Sequence, residues 1–480
     1  MRMKGFIGPA YQLQTVNQEC QRCINLYPQI NELQTAADGE IGSLVSTPGL
    51  RLLTTLGTGP IRALWEVSST GDLIAVSGNQ VYRVLADWTS TLLGTIATST
   101  GPVSVADNGV QVMLADGPNG YIVTVADWSL KQITAEGFQG ANTVTYQDSY
   151  FIANIPGTGE WAISGGFDGF TWNAADFIES NNNGNKLVAV LSNQRQVWSF
   201  GTQAIEVYWD SGAVDFPFSR IDGAYIEYGC IAGQSVKRYS NTVIWLGGGT
   251  NANGIVWMAQ GYVPKRISNH GVELAIQSYA NIEDATAWIY QENGHAFYCL
   301  NFPSANTTWV YDISTGQWHE RCYMGADGNF QRHRAECHAF TYATHIVGDY
   351  QNGCLYALDD NVYTDNGNPL VKLRRATHLS VDGKRIYYSK FQLFALVGQG
   401  LDGNPPVGAD PFVEMRYSDD FGHTWSYGTT RELGKTGQYA NRVIWRRVGQ
   451  SRNRVFEVSC ADPVPLVILG ADLDAAPGVS

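Results

Sequence analysis

Charge is scarce in this chain, and positive charge scarcer still. Only 16% of the 480 residues are charged, and 31 Lys and Arg face 44 Asp and Glu, for a formal net charge of −13. That balance argues against a protein that reads nucleic-acid sequence through a basic face, because such a face must neutralise phosphates. It is compatible with a protein past which DNA merely slides, where a repelling wall helps. A content of 44% hydrophobic residues also sets aside disorder. No apolar run approaches the roughly 18 residues of a membrane span. The start, Met1-Arg2-Met3-Lys4-Gly5-Phe6-Ile7, has no apolar stretch behind it and does not read as a secretion signal. Folding in a cytoplasm is therefore the expectation.

Reactive side chains are as sparse. Five of the eight cysteines, Cys230, Cys299, Cys337, Cys354 and Cys460, stand singly among strand-like runs and read as small buried hydrophobes. Cys20 and Cys23 form one C-x-x-C, with no second pair or suitably spaced histidines nearby, so no metal or redox centre is expected. His319, His333, His338 and His345 lie on different runs and lack H-E-x-x-H spacing. There is no G-x-S-x-G elbow, and Gly247-Gly248-Gly249 lacks the Lys and helix of a phosphate loop. No cofactor and no catalytic residue is expected.

What the chain does have is glycine (52 residues), aromatics (12%) and a repeat. Val84-Leu85-Ala86-Asp87-Trp88 returns as Thr124-Val125-Ala126-Asp127-Trp128, 127 − 87 = 40 residues later. A period of about 40 residues, with several strand-like runs in each, is the sign of a propeller blade. Polar turns between apolar runs fall at Gly71, Gly109, Ser149, Gln194, Asn241, Gly294 and Thr344, with spacings of 38, 40, 45, 47, 53 and 50. The reading is an all-β chain: an extended N-terminal arm over 1–60, packed on the first blades or on a neighbouring subunit, and a β-propeller of about seven blades over 61–369. Residues 370–480 are read as a C-terminal β-sandwich-like domain or an irregular last blade. The only helical hint is a short turn near Ala174 to Ile178. Ala475 to Ser480 reads as frayed.

Three motifs stand out. Ser418-Asp419-Asp420-Phe421-Gly422-His423-Thr424-Trp425 fits the Asp box S-x-D-x-G-x-T-W. Ser418, Asp420, Gly422, Thr424 and Trp425 are read as a structural turn, with the carboxylate capping backbone N–H groups, Gly allowing the bend and Trp packing beneath. Asp168-Gly169-Phe170-Thr171-Trp172 is a degenerate relative. Tyr311-Asp312-Ile313-Ser314-Thr315-Gly316-Gln317-Trp318 is a second propeller-type turn, with Asp312 and Thr315 satisfying it and Trp318 in the core. Finally, Arg442, Arg446, Arg447, Arg452 and Arg454 crowd one apolar stretch that reads as a β-hairpin bearing a basic patch. In an acidic protein, these five are interface candidates for an acidic partner surface or a sister subunit, with a solvated face and direct DNA contact as the alternatives.

Read in order, several short stretches resemble the packaged-DNA stabilisation (tail hub, or nozzle) proteins of short-tailed bacteriophages. They are Gln21-Arg22-Cys23-Ile24-Asn25-Leu26-Tyr27-Pro28, Thr47-Pro48-Gly49-Leu50, Val105-Ala106-Asp107-Asn108-Gly109 and Trp172-Asn173-Ala174-Ala175-Asp176-Phe177. They continue with residues 197–206, Ile226-Glu227-Tyr228-Gly229-Cys230, residues 417–425 and residues 442–449. The resemblance implies a structural, non-enzymatic virion protein, assembled in the host bacterial cytoplasm as a homo-oligomeric ring, a hexamer. Such a ring sits below the portal and its adaptor ring, contacts a tail needle or plug and the tailspike or tail fibre proteins, retains packaged DNA, and lets double-stranded DNA pass without reading its sequence. The competing readings are a sialidase-like or other glycan-acting propeller, suggested by the Asp box, and a glycan-binding receptor protein, suggested by 14 Trp and 25 Tyr.

Overall fold

In the computed structural model, residues 2–15, 19–31, 42–180, 184–249, 253–403 and 405–478 are described. Five consecutive four-stranded antiparallel sheets occupy residues 61–95, 104–132, 144–179, 187–226 and 237–266. A sixth set of four strands runs from 286 to 320, and a seventh starts at 335. Each opens with a tight hairpin, and the seven hairpins coincide with the seven turns read from the sequence. The backbone explains the choice of residues. Gly71, Gly109 and Gly294 have φ of +74°, +84° and +81°, a region glycine enters without a steric cost. At Gln194-Arg195 and Tyr342-Ala343 both central residues take positive φ with no glycine at all, the mirror-image turn that matches strand twist.

The Asp-Trp repeat marks the hairpin between the third and fourth strands of the first two blades. Asp87 accepts hydrogen bonds from the Thr89 N–H and hydroxyl at 3.0 and 2.6 Å, and Asp127 does the same with Ser129 at 3.0 and 2.8 Å. Each Trp then bridges to the preceding blade. Trp128 lies 4.0 Å from the Arg83 guanidinium, and Trp88 meets Tyr342 of the seventh blade edge-on at 5.9 Å. The repeat is therefore a blade-to-blade fastener, and its first copy helps to close the ring.

The ends of the chain are used differently from the sequence reading. Blade 7 has three local strands within 335–359, and its fourth is Gly49–Thr55, antiparallel to Cys354–Asp359 from Asp359↔Gly49 to Cys354↔Thr55. Upstream of it, Leu26–Ile30 and Gly42–Ser46 join Val467–Pro477, Ile386–Ala395 and Val443–Ser451 in one sheet. Cys20–Ile24 joins Lys372–Arg375, Asn453–Cys460, Phe412–Ser418 and Thr429–Glu432 in a second. The two sheets enclose Leu26, Leu44, Phe391, Trp445, Phe456 and Ile468, all buried. The arm thus lies not on the first blades but in the last blade and the C-terminal sandwich.

The two bodies are continuous. Ile24 pairs in parallel with Glu320 at the end of blade 6, and Arg22 Nε binds the Glu320 carboxylate at 3.0 Å. Asn25, buried and left-handed at φ +51°, sits at the junction. Its amide donates to the carbonyls of Cys322 and Val371 at 2.9 and 2.8 Å and accepts from Cys322 N at 3.0 Å. Two smaller expectations also change. Residues 174–178 belong to the long strand Asp168–Glu179, while an α-helix occupies His270–Gln277, capped by Asn269. The last strand runs to Pro477, so residues 475–477 are paired; 479 and 480 lie outside the described residues.

Candidate functional site

The Asp box folds into a cap at the end of the strand Phe412–Ser418. Ser418 Oγ donates to Asp420 Oδ1 at 2.7 Å and accepts from Gly422 N–H at 2.7 Å. Asp420 also accepts from the N–H and hydroxyl of Thr424 at 2.8 and 2.6 Å. The Thr424 hydroxyl and N–H, with Ser418, hold the Asp420 carboxyl far below the usual carboxylate range. Gly422, at φ +98°, makes the bend. Ser418, Asp420, Gly422 and Thr424 are therefore all engaged in the turn. Trp425 is half-buried, with its ring edge beside Gly422 of the turn. It covers Arg375 and Arg416, 4.5 and 5.2 Å from its ring, and both of these bind the buried Glu457.

The related turns behave alike. Asp168 accepts from Phe170 N at 3.0 Å and Thr171 Oγ1 at 2.6 Å over a buried Trp172. Asp312 accepts from Ser314 N, Thr315 Oγ1 and His295 Nδ1 at 3.0, 2.8 and 2.7 Å, and Trp318 is buried with its N–H on Ile267 O.

The arginine stretch is not a hairpin. Val443–Ser451 pairs with Ile386–Ala395 in one sheet, and Asn453–Cys460 lies in the other, so the chain crosses the sandwich at 452. This separates the five arginines. Arg454 is 1% exposed. Its Nε and Nη2 bind the Asp419 carboxylate at 2.6 and 2.7 Å, its Nη1 donates to Val448 O, and Tyr417 lies 3.9 Å from its guanidinium. It ties the Asp box to the sandwich and offers nothing to a neighbour. Arg442, Arg446, Arg447 and Arg452 are exposed. Arg447, at φ +58°, sits at a bulge opposite Ser389, so simple alternation does not send it to the face opposite Arg446. The strand that carries Arg442's neighbours through Arg447 is a sheet edge, where charge also discourages unwanted strand pairing.

The propeller axis holds a cavity of about 530 Å³ lined by the first strands of the blades, with Arg62, Thr145, Lys237, Trp288, Glu336 and His338 among its walls. That volume is in the range of small-molecule cavities. The histidines gather more than their spacing suggests. His338 Nε2 and His345 Nδ1 are 3.0 Å apart, and burial pushes His338 and His333 down to about 3. Burial likewise pushes the Cys20 and Cys23 thiols up to about 11 and about 12. Among the described residues no group of three or more His, Cys, Asp or Glu could hold a metal ion, and no helix is long and apolar enough to cross a membrane.

A seven-bladed propeller joined to a two-sheet sandwich defines the class: an all-β propeller–sandwich protein. The chain belongs to the family of bacteriophage P22 Gp10, whose β-propeller matches residues 20–363 and whose β-sandwich matches residues 373–476. The family is one of phage structural tail proteins. No curated protein matches the chain. Solved structures similar to it include the WD40 β-propeller domain of Doa1 (11% identity, TM-score 0.41, 64% of this chain and 97% of that one). Others are a mitotic checkpoint complex (12%, 0.42, 65% and 92%) and the extracellular domain of a putative hybrid two-component system from B. thetaiotaomicron (8%, 0.43, 64% and 39%). At those scores the likenesses bear no functional argument.

Proposed function

We propose that this chain is the tail hub, or nozzle, subunit of a phage: it closes the portal channel, retains the packaged DNA and forms part of the ejection conduit. The observation that carries the reading is that propeller and sandwich, in this order, match the two parts of one phage family over residues 20–363 and 373–476. Two features support it. A subunit that holds back pressurised DNA must not unravel from its ends, and here both ends are woven into one sandwich, with Gly49–Thr55 closing the propeller. The cavity at the propeller axis, about 530 Å³ and lined by strands of all seven blades, has the size of a small-molecule site, so on this reading the conduit is the space that several copies enclose around a shared axis. The copies form a ring, a hexamer, that meets the portal and adaptor, a needle or plug, and spike or fibre proteins. Arg442, Arg446, Arg447 and Arg452 contribute to its contacts, and DNA passes an acidic protein without being read.

The test is retention. Heads filled in the absence of this protein should lose DNA to nuclease, and purified protein added before nuclease should protect it. Heads that keep their DNA without it would overturn the proposal. Light scattering should give about six times the 52.6 kDa chain mass once assembled.

A further inference from the structure

Just past the last strand of blade 6, Arg321 is 1% exposed. Its guanidinium carbon lies 5.2 Å from the centre of the Tyr290 ring and 4.9 Å from that of Phe297. Nε donates to His319 Nε2 at 3.4 Å, but Nη1 and Nη2 have no acceptor among the described residues. Other deeply buried arginines are saturated. Arg374 donates to the carbonyls of Phe6, Pro9 and Gly5, and Arg454 to Asp419 and Val448 O. A guanidinium taken out of water without an acceptor costs several kcal/mol.

The neighbours do not relieve it. Because His319 Nε2 accepts from Arg321, its proton sits on Nδ1. That Nδ1 is buried without a partner among the described residues, and burial, reinforced by Arg321, holds His319 neutral. The Tyr290 oxygen faces the guanidinium without hydrogen-bond geometry; even as an acceptor it would leave its own proton unmatched. Two guanidinium arms and one phenol O–H therefore meet as donors, while the imidazole N–H, on the ring edge turned away from Arg321, is a separate unpartnered donor. The nearby acids are already engaged. Burial and then Asp360 push Glu292 up to about 8, so it is largely protonated at neutral pH, and the Asp312 oxygens are held by His295, Ser314 and Thr315.

We propose that Arg321 and Tyr290 bind a small inorganic monoanion of the halide class, with His319 orienting the guanidinium through its Nε. It sits where blades 6 and 7 meet the N-terminal segment, since Tyr27 packs on Phe297 and His319 at 5.1 and 6.3 Å. The anion matches the buried charge and locks the seam of the propeller. This is independent of the tail-hub reading.

The experiment uses the purified full-length chain, melted in sodium chloride or bromide against sodium gluconate at equal ionic strength, together with bromide-soaked crystals. The expected result is a melting temperature that rises and saturates with halide, as a ligand of the folded state requires, and an anomalous peak beside Arg321. Arg321→Met should abolish the halide increment. Tyr290→Phe, which keeps the ring, should weaken the apparent halide affinity roughly tenfold, the loss of one hydrogen bond to an anion; it decides the matter if Arg321→Met does not fold. Equal melting in all salts, water in place of bromide, or an unchanged affinity in Tyr290→Phe would overturn the proposal.

Discussion

The propeller and the sandwich are both antiparallel β, yet they are assembled on opposite principles. In the propeller the first five sheets are runs of neighbouring hairpins, and distant strands enter only at the last two blades, Cys20–Ile24 at the edge of the sixth and Gly49–Thr55 in the seventh. In the sandwich both sheets mix strands from 20–46 with strands from 372–477. Locally built sheets close little loop entropy per contact; the sandwich closes loops of hundreds of residues. The lesson is a division of roles. The propeller supplies a rigid body from repeated local structure, and the sandwich converts both chain ends into a clasp upon it.

The largest effect should come from removing the clasp. Deleting residues 1–55 takes Cys20–Ile24, Leu26–Ile30 and Gly42–Ser46, with Tyr11–Gln12 beside the first, from the sandwich's sheets and the closing strand from blade 7. No cooperative melt of either body is expected by calorimetry; a deletion that melts with a native-like transition would show that the propeller closes by itself.

Next comes the arginine that gathers the arm. Arg374 is fully buried and donates to the carbonyls of Phe6, Pro9 and Gly5 at 2.7–2.9 Å. Arg374→Met should cost about 3–5 kcal/mol in urea unfolding, because it leaves buried carbonyls without donors. Proteolysis should then begin in residues 2–15 and spare the blades.

A smaller, pH-dependent effect belongs to the propeller seam. Glu292 is pushed up from 4.5 to about 8, first by burial and then by Asp360. A raised carboxyl pKa gives stability that is full below the unfolded value and lost as pH rises through the folded one. Glu292→Gln, which mimics the protonated form, should therefore melt like the parent near pH 4.5 and increasingly above it toward pH 8.5. Parallel melting curves at all pH values would remove Glu292 from the seam's energetics.

The smallest effect on folding, and the most telling for assembly, is at the sandwich edge. Arg446→Glu and Arg447→Glu alter exposed side chains, so the monomer's melt should hardly move. Sedimentation should show weaker assembly or docking in low salt, resembling the parent in high salt, since such pairs are screened over about 8–10 Å. If both variants assemble like the parent, the edge is a solvated face.

Much of the propeller was legible because its signals are local. A tight turn needs particular φ values, and Gly71, Gly109 and Gly294 announce them; Asp87 and Asp127 reach only two residues along the chain. The same holds for the Asp box, whose hydrogen bonds stay within Ser418–Thr424. The sandwich site was legible only in part. The arginine density was visible, but a β-turn and a crossing between sheets leave the same trace at residues 451–453, and the misreading as a hairpin follows from that. Nothing local marks Arg454 as buried; its partner Asp419 is 35 residues away.

By itself the sequence determined the elements with short-range causes: seven blade-opening hairpins, the Asp turns and the strand runs after residue 385. The tertiary structure alone decided what depends on distant chain meeting distant chain. It set Gly49–Thr55 against Cys354–Asp359, Ile24 beside Glu320, and the two terminal arms of Arg321 where no acceptor meets them among the described residues. The physical reason is that turn geometry is fixed by a few backbone angles encoded in the residues that adopt them. Strand partners and buried charges are fixed by which surfaces close together, and that information is spread over the whole fold.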